Sequence, residues 1–251
     1  MGAVTLKVEG PVAHLTLDHP ERHNALTREG LDQFLGRLQS IESNPEIRAL
    51  VLTGAGDRTF CSGAALDEVR AGAVDGDTFQ VVADRLAALP IPKLAVMNGS
   101  AYGGGAELGL CCDFRYGVEG MKIRVPAASF GLCYPPAGIQ RYVSRLGVEA
   151  AKRILVATET LETDELLRIG YLHRVCSREE LPTLADEWAQ RLAGLAPLAV
   201  RAMLAICNGA ADGALDAGQA REWAERCNRS NDLQEGLQAA LEKRAPKFSG
   251  N

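Results

Sequence analysis

Apolar and polar positions alternate over Val4–Val8 and again over Val12–Leu17, with Gly10-Pro11 between them, the pattern of a β-hairpin. A polar loop, Asp18–Leu26, ends at Thr27, which stands where a helix N-cap is expected, with Gly30 at the third helical position. Leu31, Phe34, Leu35, Leu38 and Ile41 then recur at helical spacing and predict an amphipathic helix. Ala49–Thr53 is an unbroken apolar run that reads as a buried strand ending in Gly54-Ala55-Gly56. After Phe60, the small residues Cys61–Ala65 form a loop that opens a helix near Leu66. A helix around Phe79–Leu89 stops at Pro90, Lys93–Met97 is another apolar strand, and Asn98–Gly105 leads into a helix over Ala106–Cys112. Asp113–Tyr116 and Lys122–Val125 read as short strands. The recurring order strand, loop, helix predicts crossover units and an α/β fold with a helix-covered parallel sheet. From about Leu181 the pattern is helical, over Leu184–Leu195, Pro197–Asn208, Ala214–Asn228 and Asp232–Glu242.

Composition narrows the function. Lys+Arg 27 against Asp+Glu 32 gives a formal charge of −5 with no basic tract, which argues against a nucleic-acid partner. No apolar run reaches the ~18–20 residues of a membrane span, and no basic-then-apolar leader stands at the start, so a cytoplasmic, membrane-free protein is expected. The seven cysteines are odd in number and include no C-x-x-C pair, and the four histidines form no His-x-x-x-His pair. Reduced thiols and no metal site are therefore expected. Aromatics are 5% while glycines number 26, which implies an aliphatic core and several close backbone approaches.

Two of those glycine-bearing loops share one design: a strand, then small residues, then a helix start. Backbone N–H groups there can face open space, with the positive end of a helix behind them. One such loop is a weak anion site or merely a tight turn; two facing each other would make an oxyanion hole. Nucleotide motifs fail, since neither Gly54-Ala55-Gly56 nor Gly103-Gly104-Gly105 completes G-x-G-x-x-G and no phosphate-loop lysine motif exists. The serine-nucleophile elbow fails as well, because Phe60 stands where glycine is required before Ser62. Glu107 lies in the first turn of an otherwise apolar helix. It reads either as a complement to the helix dipole or as a desolvated acid/base, and the sequence leaves both open.

Pro20-Glu21-Arg22-His23-Asn24-Ala25-Leu26, Phe60-Cys61-Ser62-Gly63-Ala64, Asn98–Leu108, Gly138-Ile139-Gln140-Arg141 and Glu242–Phe248 together resemble the crotonase superfamily, the enoyl-CoA hydratase/isomerase family, in order and spacing. The resemblance implies a spiral of ββα units over residues 1–190 that carries the active site, and a helical trimerisation region over 191–251. It implies a homotrimer or a dimer of trimers acting on an acyl-CoA thioester, with no cofactor beyond the coenzyme A of the substrate. By motif position the backbone N–H groups of Ala64 and Gly104 form the oxyanion hole, and Glu107 is the acid/base.

The family's hydratases use two glutamates, and the second position holds Ala127 in Val125-Pro126-Ala127-Ala128; the aspartate usual after Gly-Ala in the first loop is Ala65. Tyr134 and Cys133 follow in the next turn, and Tyr134 reads either as a catalytic partner or as a loop aromatic packed on the core. Arg22, His23, Ala25, Ser62, Ala65 and Leu66 match positions that contact coenzyme A. Lys247 and Phe248 match tail residues that approach the adenine end, often of a neighbouring subunit. A single base suits double-bond isomerisation of enoyl-CoA and, less well, hydration. Decarboxylation on the same fold and a non-catalytic acyl-CoA binder are the alternatives.

Overall fold

The computed structural model describes residues 3–251. Strands β1 (Val4–Glu9) and β2 (Val12–Leu17) form the expected antiparallel hairpin, with Val4 opposite Leu17 and Glu9 opposite Val12. Helix α1 (Arg28–Glu42) starts where the sequence places it: the Thr27 hydroxyl accepts the Gly30 N–H at 3.1 Å. Its buried face is Leu31, Phe34, Leu38 and Ile41, with Leu35 half-buried.

From β3 (Ala49–Gly54) the chain repeats one manoeuvre. A long buried strand is followed at once by a short one, and then by helix. The pairs are β3 with β4 (Thr59–Cys61), β5 (Lys93–Met97) with β6 (Ser100–Tyr102), and β7 (Phe114–Val118) with β8 (Lys122–Arg124). Helices α2 (Leu66–Ala71) and α3 (Gly76–Ala88) follow the first pair, and α4 (Gly104–Cys111) follows the second. After the third come α5 (Pro136–Leu146), α6 (Val148–Leu155), β9 (Leu161–Glu162), α7 (Thr163–Arg168) and β10 (Arg174–Cys176).

The five long strands, with the three-residue β10 at the edge, build a six-stranded sheet in the order β1-β2-β3-β5-β7-β10, parallel except for the hairpin. The short ones build a second sheet, β4-β6-β8-β9. Each ββα turn thus adds one strand to each sheet. The second sheet corrects the sequence reading, which gave β4 and β6 to loops: three-residue strands are too short for a periodic signal.

Helices α8 (Leu181–Ala193), α9 (Pro197–Ala211), α10 (Ala217–Asn228) and α11 (Asn231–Glu242) complete the chain. Helix α8 packs on the large sheet and buries Leu181, Ala185, Ala189, Leu192 and Ala193. In contrast, α9 buries only Ala202, α10 no residue, and α11 Asp232 and Ala239. Among the described residues no single helix is long and apolar enough to cross a membrane.

Candidate active site

The first loop is pinned before it can serve as a site. Asn24, 1% exposed and left-handed at φ 54, donates to the carbonyls of Ala55 and Thr59 and accepts the His19 N–H. Its own carbonyl accepts the Cys61 thiol. Leu26 then bridges to Ala64 as a one-residue parallel strand: Leu26 N–H reaches Gly63 O at 2.8 Å, and Ala65 N–H reaches Leu26 O at 2.9 Å. In extended backbone successive groups point to opposite sides, so the Ala64 N–H faces away from Leu26. No acceptor takes it among the described residues.

The second loop meets the first at Gly63. At φ +84, a β-carbon on Gly63 would lie 2.8 Å from the Gly104 nitrogen and 3.3 Å from that of Gly105. Gly104 is the first residue of α4, so its N–H has no partner within the helix. Gly103, at φ 50 and ψ −125, makes the sharp turn that only glycine adopts with ease. Packing leaves these glycines no room for a side chain: a β-carbon on Gly104 would strike the Phe79 ring, and one on Gly105 the Cys61 carbonyl.

Glu107 lies one turn past Gly104. Helical side chains lean toward the N-terminus, so its carboxylate covers the helix start. It is 1% exposed, as its apolar neighbours in sequence suggest, but its surroundings are not apolar. Tyr134 Oη donates to Glu107 Oε2 at 2.7 Å, Gln80 Nε2 donates to Oε1 at 3.3 Å, and Arg141 Nη1 forms an ion pair with Oε1. Arg141 Nη2 also reaches Asp84 Oδ1 at 2.7 Å. These partners come from α3, from α5 and, for Tyr134, from the turn before α5, at sequence distances that no local pattern reveals. Tyr134 was visible as a candidate and Gly138-Ile139-Gln140-Arg141 as a motif without a role; Gln80 and Asp84 were not visible at all.

Gly138 lets α5 approach, since a β-carbon there would lie 2.6 Å from the Tyr134 ring and 3.1 Å from Glu107 Oε1. Burial pushes the Tyr134 phenol well above its usual range, with Tyr142 and the Glu107 charge acting in the same direction, so the phenol stays protonated and donates. Burial works against the Arg141 guanidinium, but Cys111, Glu107 and Asp84 outweigh it and its pKa lies above the ordinary arginine value.

The structure brings most of the sequence-derived candidates together. Ser62 N–H bonds His23 O at 3.0 Å, which ties the Arg22–Ala25 loop to the Ser62–Leu66 segment. Ala25 and Ala65 are buried, while Leu66 is 66% exposed at the rim. Arg22 pairs with Asp67 at 2.7 Å, and His23 Nδ1 lies 3.0 Å from Thr59 Oγ1. Ala127 is buried in the short turn after β8. Lys247 and Phe248 lie elsewhere. Phe248 O accepts from Arg48 just before β3, at the opposite end of that strand from Gly54, and Lys247 N–H bonds Glu235 on α11. No group of three or more His, Cys, Asp or Glu side chains suited to a metal occurs among the described residues.

The two glycine-bearing loops and the buried Glu107 carboxylate are set on a ββα spiral whose fold recurs in known proteins. The family profile described as Enoyl-CoA hydratase/isomerase matches residues 7–251, and the chain belongs to that family. A short-chain-enoyl-CoA hydratase of Clostridium acetobutylicum is 31% identical over 96% of this chain and 95% of its own. An enoyl-CoA isomerase/hydratase of Mycosarcoma maydis is 34% identical over 95% and 93%. Among solved structures, an enoyl-CoA hydratase/carnithine racemase from Magnetospirillum magneticum superposes with a TM-score of 0.92 at 27% identity, covering 100% of this chain and 97% of that one. An enoyl-CoA hydratase from Bacillus anthracis gives 0.90 at 27% identity, covering 99% and 100%.

Proposed function

We propose that the protein isomerises enoyl-CoA thioesters, moving a double bond from the 3,4 to the 2,3 position with Glu107 as its single acid/base. The thioester carbonyl oxygen accepts from the Ala64 and Gly104 N–H groups. Glu107 takes a proton from C2, the double bond moves, and the dienolate charge on the oxygen is held by those two donors. Glu107 returns the proton to C4, and the 2-enoyl thioester is released. Tyr134 holds Oε2 and orients it toward the substrate. No cofactor is needed beyond the coenzyme A of the substrate, and the proposed location is cytoplasmic.

One observation carries this choice. Hydration needs a second group to activate or protonate water, and the position where the family's hydratases carry a second glutamate holds the buried methyl of Ala127. Supplying the purified protein with 3-enoyl, 2-enoyl and malonyl-type CoA esters, with products read by mass spectrometry, tests the assignment. Conversion of the 3-enoyl to the 2-enoyl ester is expected to be fastest. Faster hydration or decarboxylation, or no turnover at all, sinks it. In the same panel Ala127→Glu is expected to raise hydration relative to isomerisation. No gain would mean that the pocket around residue 127 cannot seat a water.

The homotrimer or dimer of trimers rests on apolar side chains that the chain leaves uncovered on α9 and α11: Met203 is 58% exposed, Leu237 56% and Leu241 81%. Light scattering is expected to give three or six times the chain mass, and a monomer would refute it. In such an assembly Lys247 and Phe248 would serve a neighbouring subunit's site.

A further inference from the structure

Arg141 takes no part in the proton transfer proposed above, yet it is the one charged group in contact with the reacting carboxylate among the described residues. We infer that Arg141, anchored on Asp84, is the positioning residue of Glu107: it occupies Oε1 and leaves Oε2 as the oxygen that exchanges protons with substrate. The inference rests on the reading of Glu107 as the base.

Four features carry it. The two carboxylates are bridged twice, by planar groups. Arg141 spans from Glu107 Oε1 to Asp84 Oδ1, and the Gln80 amide spans the same two oxygens, at 3.3 Å and 2.8 Å. Such a double bridge fixes the plane of the Glu107 carboxylate, because turning it would break bonds to both α3 and α5. Secondly, the oxygens are unequal: Oε1 accepts two donors and Oε2 one, the Tyr134 hydroxyl. An oxygen with more donors has less electron density to offer a proton, which directs protonation to Oε2.

Thirdly, the charges balance through the reaction. When Glu107 takes the proton it ceases to neutralise Arg141, but the Asp84 carboxylate remains 2.7 Å from the same guanidinium, so no buried cation is left without a partner. Burial makes this matter, since the side chains of Arg141 and Glu107 are 11% and 1% exposed and water screens little between them. Finally, the guanidinium is reachable from behind. A cavity of about 510 Å³ borders Arg141, lined also by Asp84, Ala88, Ser144 and Arg145 and by no residue of the two loops that carry the N–H donors.

The test uses 3-enoyl-CoA turnover with the intact chain. Arg141→Met is expected to lower kcat about 100-fold, the scale of a misplaced reacting group, with KM nearly unchanged. Arg141→Lys recovers part of the loss, because an ammonium can pair with one carboxylate but cannot fork between two. Arg141→Ala is expected to regain activity with millimolar guanidinium, which enters through the cavity, while the unaltered protein gains nothing. Should the arginine variants fail to fold, Asp84→Asn, at a half-exposed position, still reads the anchor through a several-fold fall in kcat.

Wild-type kcat in a folded Arg141→Met or Asp84→Asn variant overturns the proposal. So does a loss that neither lysine nor guanidinium restores. Glu107→Gln run alongside separates the two failures. If it is inactive while Arg141→Met is active, positioning alone is refuted. If it is itself fully active, the reading of Glu107 as the base falls.

Discussion

Glu107→Gln is expected to lower kcat for 3-enoyl-CoA isomerisation by about 10²–10⁴-fold, the contribution of a positioned acid/base, while leaving KM close to its original value. The amide is nearly isosteric. Its oxygen can still accept from Arg141 and Gln80 while its N–H donates to the Tyr134 oxygen, whose hydroxyl turns away, so the fold and the pocket shape survive. What goes is the capacity to take a proton from C2. The substitution also strips Arg141 of one of its two carboxylates, and Asp84 then holds it alone. The two N–H donors are untouched, and for that reason binding of the thioester persists. Steady-state kinetics with direct measurement of acyl-CoA affinity checks both halves. Retained turnover would show that proton transfer runs through another group.

Gly63→Ala is expected to damage the other half of the site. Residue 63 sits at φ +84, where an L side chain costs ~1–2 kcal/mol, and its methyl would lie 2.8 Å from the Gly104 nitrogen. On the proposed mechanism the substrate carbonyl oxygen meets the Gly104 N–H beside that methyl. Losing one such donor costs about 10²–10³ in kcat. Unlike Glu107→Gln, this variant is also expected to weaken binding of the acyl-CoA, because the methyl intrudes on bound substrate and transition state alike, and to melt earlier. Thermal unfolding and kinetics together test it. A variant with unaltered kcat would mean that Gly104 does not donate to the substrate.

The sequence carries much of this architecture where a local rule applies. The spacing of Leu31, Phe34, Leu38 and Ile41 and the cap at Thr27 define α1 within its own few turns, and the small residues before Leu66 and Ala106 mark the two donor loops. Of the second sheet only β8 was read from the sequence; β4, β6 and β9 were hidden because they are two or three residues long and gain their identity only from neighbours across the spiral. The partners of Glu107 were hidden for the same reason. Gln80 and Asp84 precede it by two strands and a glycine turn, and Arg141 follows after a further pair of strands. Reading only α4, the carboxylate looks immersed in aliphatic side chains; the fold supplies a guanidinium, an amide and a phenol from outside that window. Tyr134 shows the converse, for the sequence offered its hydroxyl as a candidate and the structure places it 2.7 Å from Glu107 Oε2.

Gly104 under the Phe79 ring and Gly105 against the Cys61 carbonyl have one more consequence. The half of the site that would polarise a carbonyl is made of main chain locked into the core, where almost any substitution collides with something. The opposite wall, from Ala127 through Tyr134 to Arg141, is side chain on a short turn and one helix face, and can change without disturbing either sheet. Inheritance of chemistry in such a molecule is lopsided. On the proposed mechanism the groups that hold the thioester are the ones least open to substitution, and the groups that would select the reaction are the ones most open to it.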